Sequence, residues 1–294
     1  MNGETVSSLS LLQRIMKFPL VFYGILYVIL TYCYVGLYFM RTSYVEAIAP
    51  GPVAPILASA LGCIVMVLVY RSLSEHIEKR DVPEVAVRPM LSEFGLGFAL
   101  GFGLYSLCII ILMLLGVYRL EGFNDPKILL VGLAAPLATG FFEELLFRGG
   151  VFRLAQIWFG SWIAIVINAL VFGYVHMGNE GSTMQGIISI TIWAGVLLAA
   201  TYMLTGRLWF GIGLHSAWNY TQGTVYSGIV SGNGEMSGFA KSSMEGPDYL
   251  TGGSFGVEAS LVAFLVCSTA GIIMIVMAKR KGNIVPPFWQ LTST

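Results

Sequence analysis

The chain has 294 residues, of which 56% are hydrophobic and 11% are charged, and its formal net charge is zero. Its mean hydropathy of +0.78 excludes an ordinary soluble domain, because such a domain carries about 25% charged residues. No basic patch interleaved with aromatic residues is present in the sequence, so we expect no nucleic-acid partner.

Several apolar segments are long enough to cross a bilayer as a helix, and the sequence divides into eight predicted spans. In chain order they are 19–40, 53–70, 94–117, 137–158, 162–177, 183–204, 208–230 and 257–278. The first is too long for the core of a signal peptide and precedes no small-residue cleavage site, so we interpret it as a retained helix. The sequence predicts an all-α polytopic membrane protein with about eight transmembrane helices around a polar cavity.

The connections and the third span carry weaker signals. Residues 71–93 mix acids and bases and contain two prolines, which indicates a solvated connector. Residues 231–256 are rich in Gly and Ser, which favours a flexible loop. In the third span, four glycines predict close helix packing, namely Gly95, Gly97, Gly101 and Gly103.

The cysteines stand singly in apolar segments, without a Cys-x-x-Cys pair. They are Cys33, Cys63, Cys108 and Cys267. Neither a zinc ribbon nor a disulfide framework is indicated, and we expect these side chains to pack in the protein interior.

The distribution of basic residues predicts the orientation. Ten lie at one end of the predicted helices: Arg14, Lys17, Arg71, Lys79, Arg80, Arg88, Arg207, Lys279, Arg280 and Lys281. Four lie at the other end: Arg41, Arg119, Lys127 and Lys241. By the positive-inside rule both termini are cytoplasmic. We expect an integral multi-pass membrane protein, of the cell membrane if the source is bacterial.

Three ionisable residues stand together within the fourth span. A charge at such depth costs at least about 2.5 kcal/mol and by default marks a functional site. Glu144 and Arg148 are four residues apart and can pair on one helix face, whereas Glu143 points elsewhere. Glu143 is therefore free to face a cavity and is the candidate general base. The alternative is that all three form a structural ion cluster.

Two histidines lie within predicted spans, and each shares a helix face with a residue four positions away. Phe172 precedes His176, and Asn219 follows His215. The fourth and fifth spans turn near residue 160, with Glu143 and His176 at similar distances before and after that turn. We therefore expect these two side chains at matching depth, with His215 within reach if the helices tilt.

A carboxylate, two imidazoles and an amide support hydrolysis of a peptide or ester by water. A carboxylate backed by an imidazole can deprotonate water, and a second imidazole with an amide can stabilise the oxyanion. The alternative makes Glu143, His176 and His215 ligands of a catalytic zinc ion. The spacing leaves both schemes open, since neither a His-Glu-x-x-His nor a Gly-x-Ser-x-Gly motif is present.

In their order along the chain these motifs resemble those of the CAAX prenyl protease 2 and bacteriocin-processing family, also called Abi or CPBP. The resemblance covers roughly residues 130–225. The motifs are Glu143-Glu144-x-x-x-Arg148, Phe172-x-x-x-His176 and His215-x-x-x-Asn219.

This resemblance implies an intramembrane endopeptidase that needs no cofactor. The position of Glu143 activates water with help from that of His176, and the positions of His215 and Asn219 form the oxyanion hole. Structural support is expected from Glu144, Arg148 and Phe172. The expected partners are the lipid bilayer and a membrane-associated peptide or protein. Prenylated proteins are the substrates of eukaryotic members, whereas bacterial members act in bacteriocin maturation, self-immunity and peptide signalling.

The resemblance divides the chain into an N-terminal membrane region 1–125, a catalytic core 126–230, and a loop, last span and tail 231–294. Two other function classes stay open: a non-catalytic immunity or scaffolding protein of the same fold, and a transporter with a proton relay. The predicted orientation also places Glu143 and His176 in the outer half of the membrane, whereas cleavage of cytosolic prenylated tails requires a cavity open to the cytosol.

Overall fold

The computed structural model describes residues 18–40, 53–234 and 237–291, and it is helical almost throughout these ranges. The helices are α1 (Pro19–Met40), α2 (Val53–Leu73), α3 (Met90–Leu114), α4 (Lys127–Val131), α5 (Ala134–Glu143), α6 (Arg153–Val175), α7 (Met184–Thr205), α8 (Trp209–Asn219), α9 (Asp248–Thr251), α10 (Leu261–Arg280) and α11 (Phe288–Leu291). Wider π-helical turns continue α2, α5 and α8 at Ser74–Glu78, Glu144–Phe152 and Tyr220–Val225. Two antiparallel strands pair, β1 (Tyr118–Phe123) and β2 (Ala240–Met244).

Five helical stretches within the described ranges are long and apolar enough to cross a membrane. They are Val53–Glu78, Met90–Leu114, Lys127–Gly178, Met184–Thr205 and Leu261–Arg280, with Leu20–Gly36 as a shorter apolar helix. The chain is thus an integral multi-pass membrane protein of the predicted all-α class, while the count of eight spans stays a prediction. Arg14, Lys17 and Arg41, used for the orientation, lie outside the described residues.

A sharp turn divides the longest of these stretches at Gly160, where the backbone adopts φ 74° and ψ 172°. This backbone conformation favours glycine, and a Cβ at this position would also lie 2.7 Å from the nitrogen of Pro287. The chain reverses here, as expected for the turn between the fourth and fifth predicted spans. The reversal brings the end of α6 back to the level of α5.

Helices α3 and α8 approach closely through glycines on both sides. Gly101 has no side chain at the point where it meets the carbonyl oxygen of Leu214, and a Cβ there would overlap that oxygen. Gly213 meets the backbone of Phe94 in the same way. Close backbone contact through small residues is typical of membrane helices. It fixes α8, which contains His215, against α3.

The connection at 71–93 differs from the prediction of a solvated linker, because part of it is buried. Glu84 is only 2% exposed and accepts hydrogen bonds from Tyr70 at 2.7 Å and Arg80 at 2.6 Å. Arg153 reaches the same place from α6 and pairs with Glu78 at 2.8 Å. We call Glu78, Arg80, Glu84 and Arg153 the ion cluster. The many charged residues of this segment suggest exposure to solvent. In the structure these charges pair with one another inside the protein.

At the opposite end, the Gly- and Ser-rich segment is more structured than the flexible loop that we predict from the sequence. Strand β2 pairs with β1, and the amide of Phe239 donates to the carbonyl oxygen of Thr224 at 2.7 Å. The side-chain amide of Asn124 donates to the carbonyl oxygen of Gly238 at 2.7 Å. The small residues here allow close backbone approach. All four cysteines are free thiols; Cys63, Cys108 and Cys267 are buried, as expected, and Cys33 is half-buried.

Candidate active site

The side chains predicted to be catalytic converge on one cavity of about 340 Å³. Glu143, His176, His215 and Asn219 all line it, as does Phe172. Its mouth includes Asn179 and Asn233 from the connections at the end that contains β1 and β2. The cavity therefore lies at the end of the helices opposite the ion cluster.

Glu143 is the last residue of α5, where the α-helix widens into a π-helical turn. Single π-turns inside helices are frequent at functional sites. One turn earlier, Gly140 meets Ser216 of α8 so closely that a Cβ would overlap the Ser216 hydroxyl. The missing side chain brings α5 against α8 and sets Glu143 beside His215.

His215 lies between the two adjacent glutamates. Its Nδ1 is 2.9 Å from Glu144 Oε1, and its Nε2 is 3.8 Å from Glu143 Oε2. A carboxylate can only accept, so Nδ1 donates its hydrogen to Glu144. Nε2 is then the ring nitrogen that faces Glu143. Of the two cavity histidines, His215 is the one whose ring lies within 4 Å of the Glu143 carboxylate.

Glu144 and Arg148 form the ion pair expected from their spacing, at 2.9 Å. Both side chains are buried, with exposures of 1% and 0%. The guanidinium carbon of Arg148 lies 4.7 Å above the ring of Phe172, a cation–π contact. This arrangement joins the motif helix to α6 and orients His215 from behind the cavity.

His176 is held by a hydrogen bond between its Nδ1 and the carbonyl oxygen of Phe172, at 2.7 Å. Because a carbonyl oxygen only accepts, Nδ1 carries the hydrogen, and Nε2 is the ring nitrogen left to act in the cavity. The ring of Phe172 lies 4.7 Å from that of His176 and 6.3 Å from that of His215. Phe172 thus spaces the two imidazoles.

A second carboxylate that the sequence did not point to lines the cavity: Glu258, which is 4% exposed. Its Oε1 accepts from the indole of Trp218 at 3.0 Å, and its Oε2 accepts from the amide and hydroxyl of Ser231 at 2.6 and 2.7 Å. A signal was available, since Glu258 falls inside the predicted eighth span, where a charge marks a functional site.

The sequence also gave no sign of Tyr34, which closes the cavity on the side of α1. Its hydroxyl lies 3.0 Å from that of Thr139, and its ring stacks on Phe142 at 4.8 Å. Two further lining residues, Tyr27 and Val175, are 48% and 45% exposed on the apolar outer surface. We interpret this exposed lining between α1 and α6 as a side opening toward the lipid.

The alternative zinc scheme requires a close group of ligands. In the ranges that the structure describes, no three His, Cys, Asp or Glu side chains are grouped closely enough to share a metal ion. A catalytic zinc site needs three such ligands about 2.0–2.2 Å from the ion.

Comparison with known families gives one match. Residues 125–221, about a third of the chain, match the family described as type II CAAX prenyl endopeptidase Rce1-like. The matched segment contains all three motifs and confirms the resemblance drawn from them; Tyr34 and Glu258 lie outside it. No curated protein and no solved structure matches the chain.

Proposed function

Because residues 125–221 form an Rce1-like domain, we propose that this protein is an intramembrane endopeptidase that hydrolyses a peptide bond with a water molecule as the nucleophile. Its substrate is a membrane-associated protein or peptide. The observation that most supports this proposal is that Glu143, His176, His215 and Asn219, from three separate parts of the helical bundle, line one cavity. Hydrolysis needs a base and oxyanion donors around one point, and these residues supply both.

Glu143 is proposed to be the general base. Its Oε2 is buried and has no hydrogen-bond partner, and it faces Nε2 of His215 across 3.8 Å. This separation is too long for a hydrogen bond and suits a water molecule about 2.8 Å from both atoms. Glu143 takes one proton from that water while the water oxygen bonds to the scissile carbonyl carbon. The proton passes to the leaving nitrogen when the C–N bond breaks.

The remaining polar groups act on the developing charges. The amide of Asn219 donates to the oxyanion, together with His215 Nε2 when that ring carries its second proton. Nε2 of His176 accepts the proton from Glu143 and passes it to the leaving nitrogen. Glu144 and Arg148 hold His215 and touch no substrate, so they are positioning residues.

The openings of the cavity indicate how a substrate enters. The side opening at Tyr27 and Val175 admits a segment that lies in the membrane, and the mouth at Asn179 and Asn233 admits water. Because the basic residues cluster at the other end of the molecule, the positive-inside rule places this mouth on the outer side. We therefore propose a substrate presented in the outer half of the bilayer rather than a cytosolic prenylated tail.

The test is cleavage of membrane-anchored peptides by the full chain reconstituted in liposomes, with products identified by mass spectrometry. We expect specific cleavage by the wild type that survives a metal chelator, and loss of cleavage in Glu143→Gln. Glu180→Gln removes an exposed acid close to the mouth and serves as the matched control. Full turnover by Glu143→Gln would refute the proposed base, and activity that depends on added zinc would refute the metal-free scheme.

A further inference from the structure

Glu258 is a buried acid in the cavity for which the hydrolysis described above has no use. It is 4% exposed and lines the same cavity as Glu143. Its carboxylate accepts three hydrogen bonds from Trp218 and Ser231, and all three donors are uncharged. Its main-chain oxygen accepts from Ser189 and from the indole of Trp193, which fixes its place.

No cationic side chain of the described residues neutralises this acid. The cavity lining contains no lysine or arginine, and Arg148 is paired with Glu144. His176 lines the same cavity and is a basic group that interacts electrostatically with Glu258. A buried carboxylate is costly without a countercharge, even where it accepts several hydrogen bonds. A cation supplied from outside the chain would offset this cost.

The walls beside Glu258 suit the same kind of ligand. Trp193 and Trp218 both line the cavity, with ring centroids 4.8 Å apart. Aromatic faces attract ammonium and guanidinium groups, most strongly where water is excluded. Glu143 adds a second negative charge to the same cavity, so a substrate carboxylate would be repelled.

We propose that Glu258, Trp193 and Trp218 form a subsite that binds a lysine or arginine side chain of the substrate close to the scissile bond. The proposal rests on the proposed protease function and adds the substrate class. The apolar stem of such a side chain contacts the indoles while its charged end reaches Glu258. Acidic side chains and a free terminal carboxylate are excluded from this subsite.

A binding experiment tests the subsite without any need for cleavage. The purified full chain in lipid nanodiscs is titrated with n-pentylammonium, pentanol and pentanoate, and the unfolding temperature and tryptophan fluorescence are recorded. We expect saturable binding of the ammonium at least about tenfold tighter than that of the alcohol, and none of pentanoate. Equal responses to the three probes in the wild type would overturn the proposal without the use of any variant.

Variants of Glu258 test whether this residue is responsible for ammonium binding. Glu258→Gln should weaken ammonium binding by about tenfold or more, whereas Glu258→Asp, which keeps the charge, should retain most of it. Glu245→Gln is the matched control, because its carboxylate is 72% exposed on the outer connection and lies outside the cavity lining. Unchanged ammonium binding in a folded Glu258→Gln protein would refute the role of this residue.

Cleavage gives the second measurement, on membrane-anchored peptides with Lys, norleucine or Glu at each position next to the scissile bond. The wild type should prefer Lys over Glu by about tenfold or more, mainly through KM, and Glu258→Gln should lose this preference. If peptides are cut without charge preference, the subsite is wrong and the protease stands. If the ammonium binds but no peptide is cut, the subsite stands and the protease proposal fails.

Discussion

Two adjacent glutamates of the motif have different surroundings and therefore different proposed roles. Glu144 is buried and contacts both Arg148 and His215 at 2.9 Å, whereas Glu143 has a side chain that is 16% exposed and an Oε2 without a partner. Successive residues of a helix point about 100° apart, so one acid can serve the interior of the bundle while its neighbour faces the cavity.

The Glu144–Arg148 pair gives a prediction about stability. Glu144→Gln leaves the Arg148 guanidinium buried without its countercharge, which should cost about 3–5 kcal/mol of unfolding free energy. Glu144→Gln combined with Arg148→Met should regain much of this loss, because both charges are then absent. Thermal unfolding of the wild type, Glu144→Gln, Arg148→Met and the double variant in matched detergent measures the coupling. Losses that simply add in the double variant would show that the two side chains act independently.

At the residue scale the sequence predicts a pair only where its members share a helix. The i to i+4 pairing of Glu144 with Arg148 and the shared face of Phe172 and His176 both appear in the structure. The contact of Glu258 with Trp218 joins residues 40 positions apart, and that of Tyr34 with Thr139 spans 105. The helical periodicity of the sequence cannot predict such contacts, since they depend on how whole helices pack against each other.

Among the elements, the close approach of α3 to α8 provides a matched pair of glycine substitutions. Gly101→Ala places a Cβ against the Leu214 carbonyl and should push α8, with His215, away from α3. We expect lower unfolding temperature and lower activity together. Gly103→Ala is the control on the same helix, because its Cβ would meet no atom within 4 Å, and it should gain up to about 1 kcal/mol of helix propensity. Equal behaviour of the two variants would contradict this account of the packing.

The ion cluster gives a prediction about pH. Burial raises the pKa of Glu84, but hydrogen bonds from Arg80 and Tyr70 outweigh it and lower that pKa below the ordinary value. A carboxyl group with a lowered pKa stabilises the fold above its unfolded pKa of about 4.3, and this stability disappears as the pH falls through the folded pKa. Glu84→Gln should therefore lower the unfolding temperature at pH 7, with the deficit shrinking below about pH 4.

The control for this prediction is Glu75→Gln, which removes an acid that is 39% exposed and pairs only with its helical neighbour Arg71. It should change the unfolding temperature little at any pH, because an exposed pair contributes about 1 kcal/mol at most. A deficit of Glu84→Gln that is the same at pH 7 and pH 3 would contradict the assignment of the lowered pKa.

Predictions from the sequence were better for the apolar elements than for the polar connections. The span predicted at 183–204 is α7, Met184–Thr205, and that predicted at 19–40 is α1. The sequence predicts a solvated connector at 71–93 and a flexible loop at 231–256, but the first segment and the described part of the second are folded against the bundle. Their composition resembles that of solvated chain, but their polar groups have partners inside the protein: Arg80 pairs with Glu84, Arg153 pairs with Glu78, and β2 pairs with β1.

At the scale of the whole molecule, the ion cluster and the cavity lie at opposite ends. The distribution of Lys and Arg residues predicts that the cavity end is on the outer side of the membrane. The prediction is that a cysteine replacing Lys241, on β2, reacts with a membrane-impermeant maleimide from outside intact cells, whereas one replacing Lys79 reacts only after the membrane is opened. A cysteine-free background removes labelling of the four native thiols. The reverse labelling pattern would place the cavity mouth in the cytosol and restore cytosolic tails as substrates.

The central claim is that Glu143, His176 and His215 act as one unit on a single water molecule and a single peptide bond. The most direct measurement is kcat/KM of the reconstituted protein for the single variants Glu143→Gln, His176→Ala and His215→Ala and for their pairwise combinations. The effects of substituting residues that act as a unit are strongly non-additive. The kcat/KM of each single variant should therefore fall about 100-fold or more, and that of each double variant should fall little further. Losses that multiply from single to double variants, or a single variant with wild-type kcat/KM, would contradict the claim.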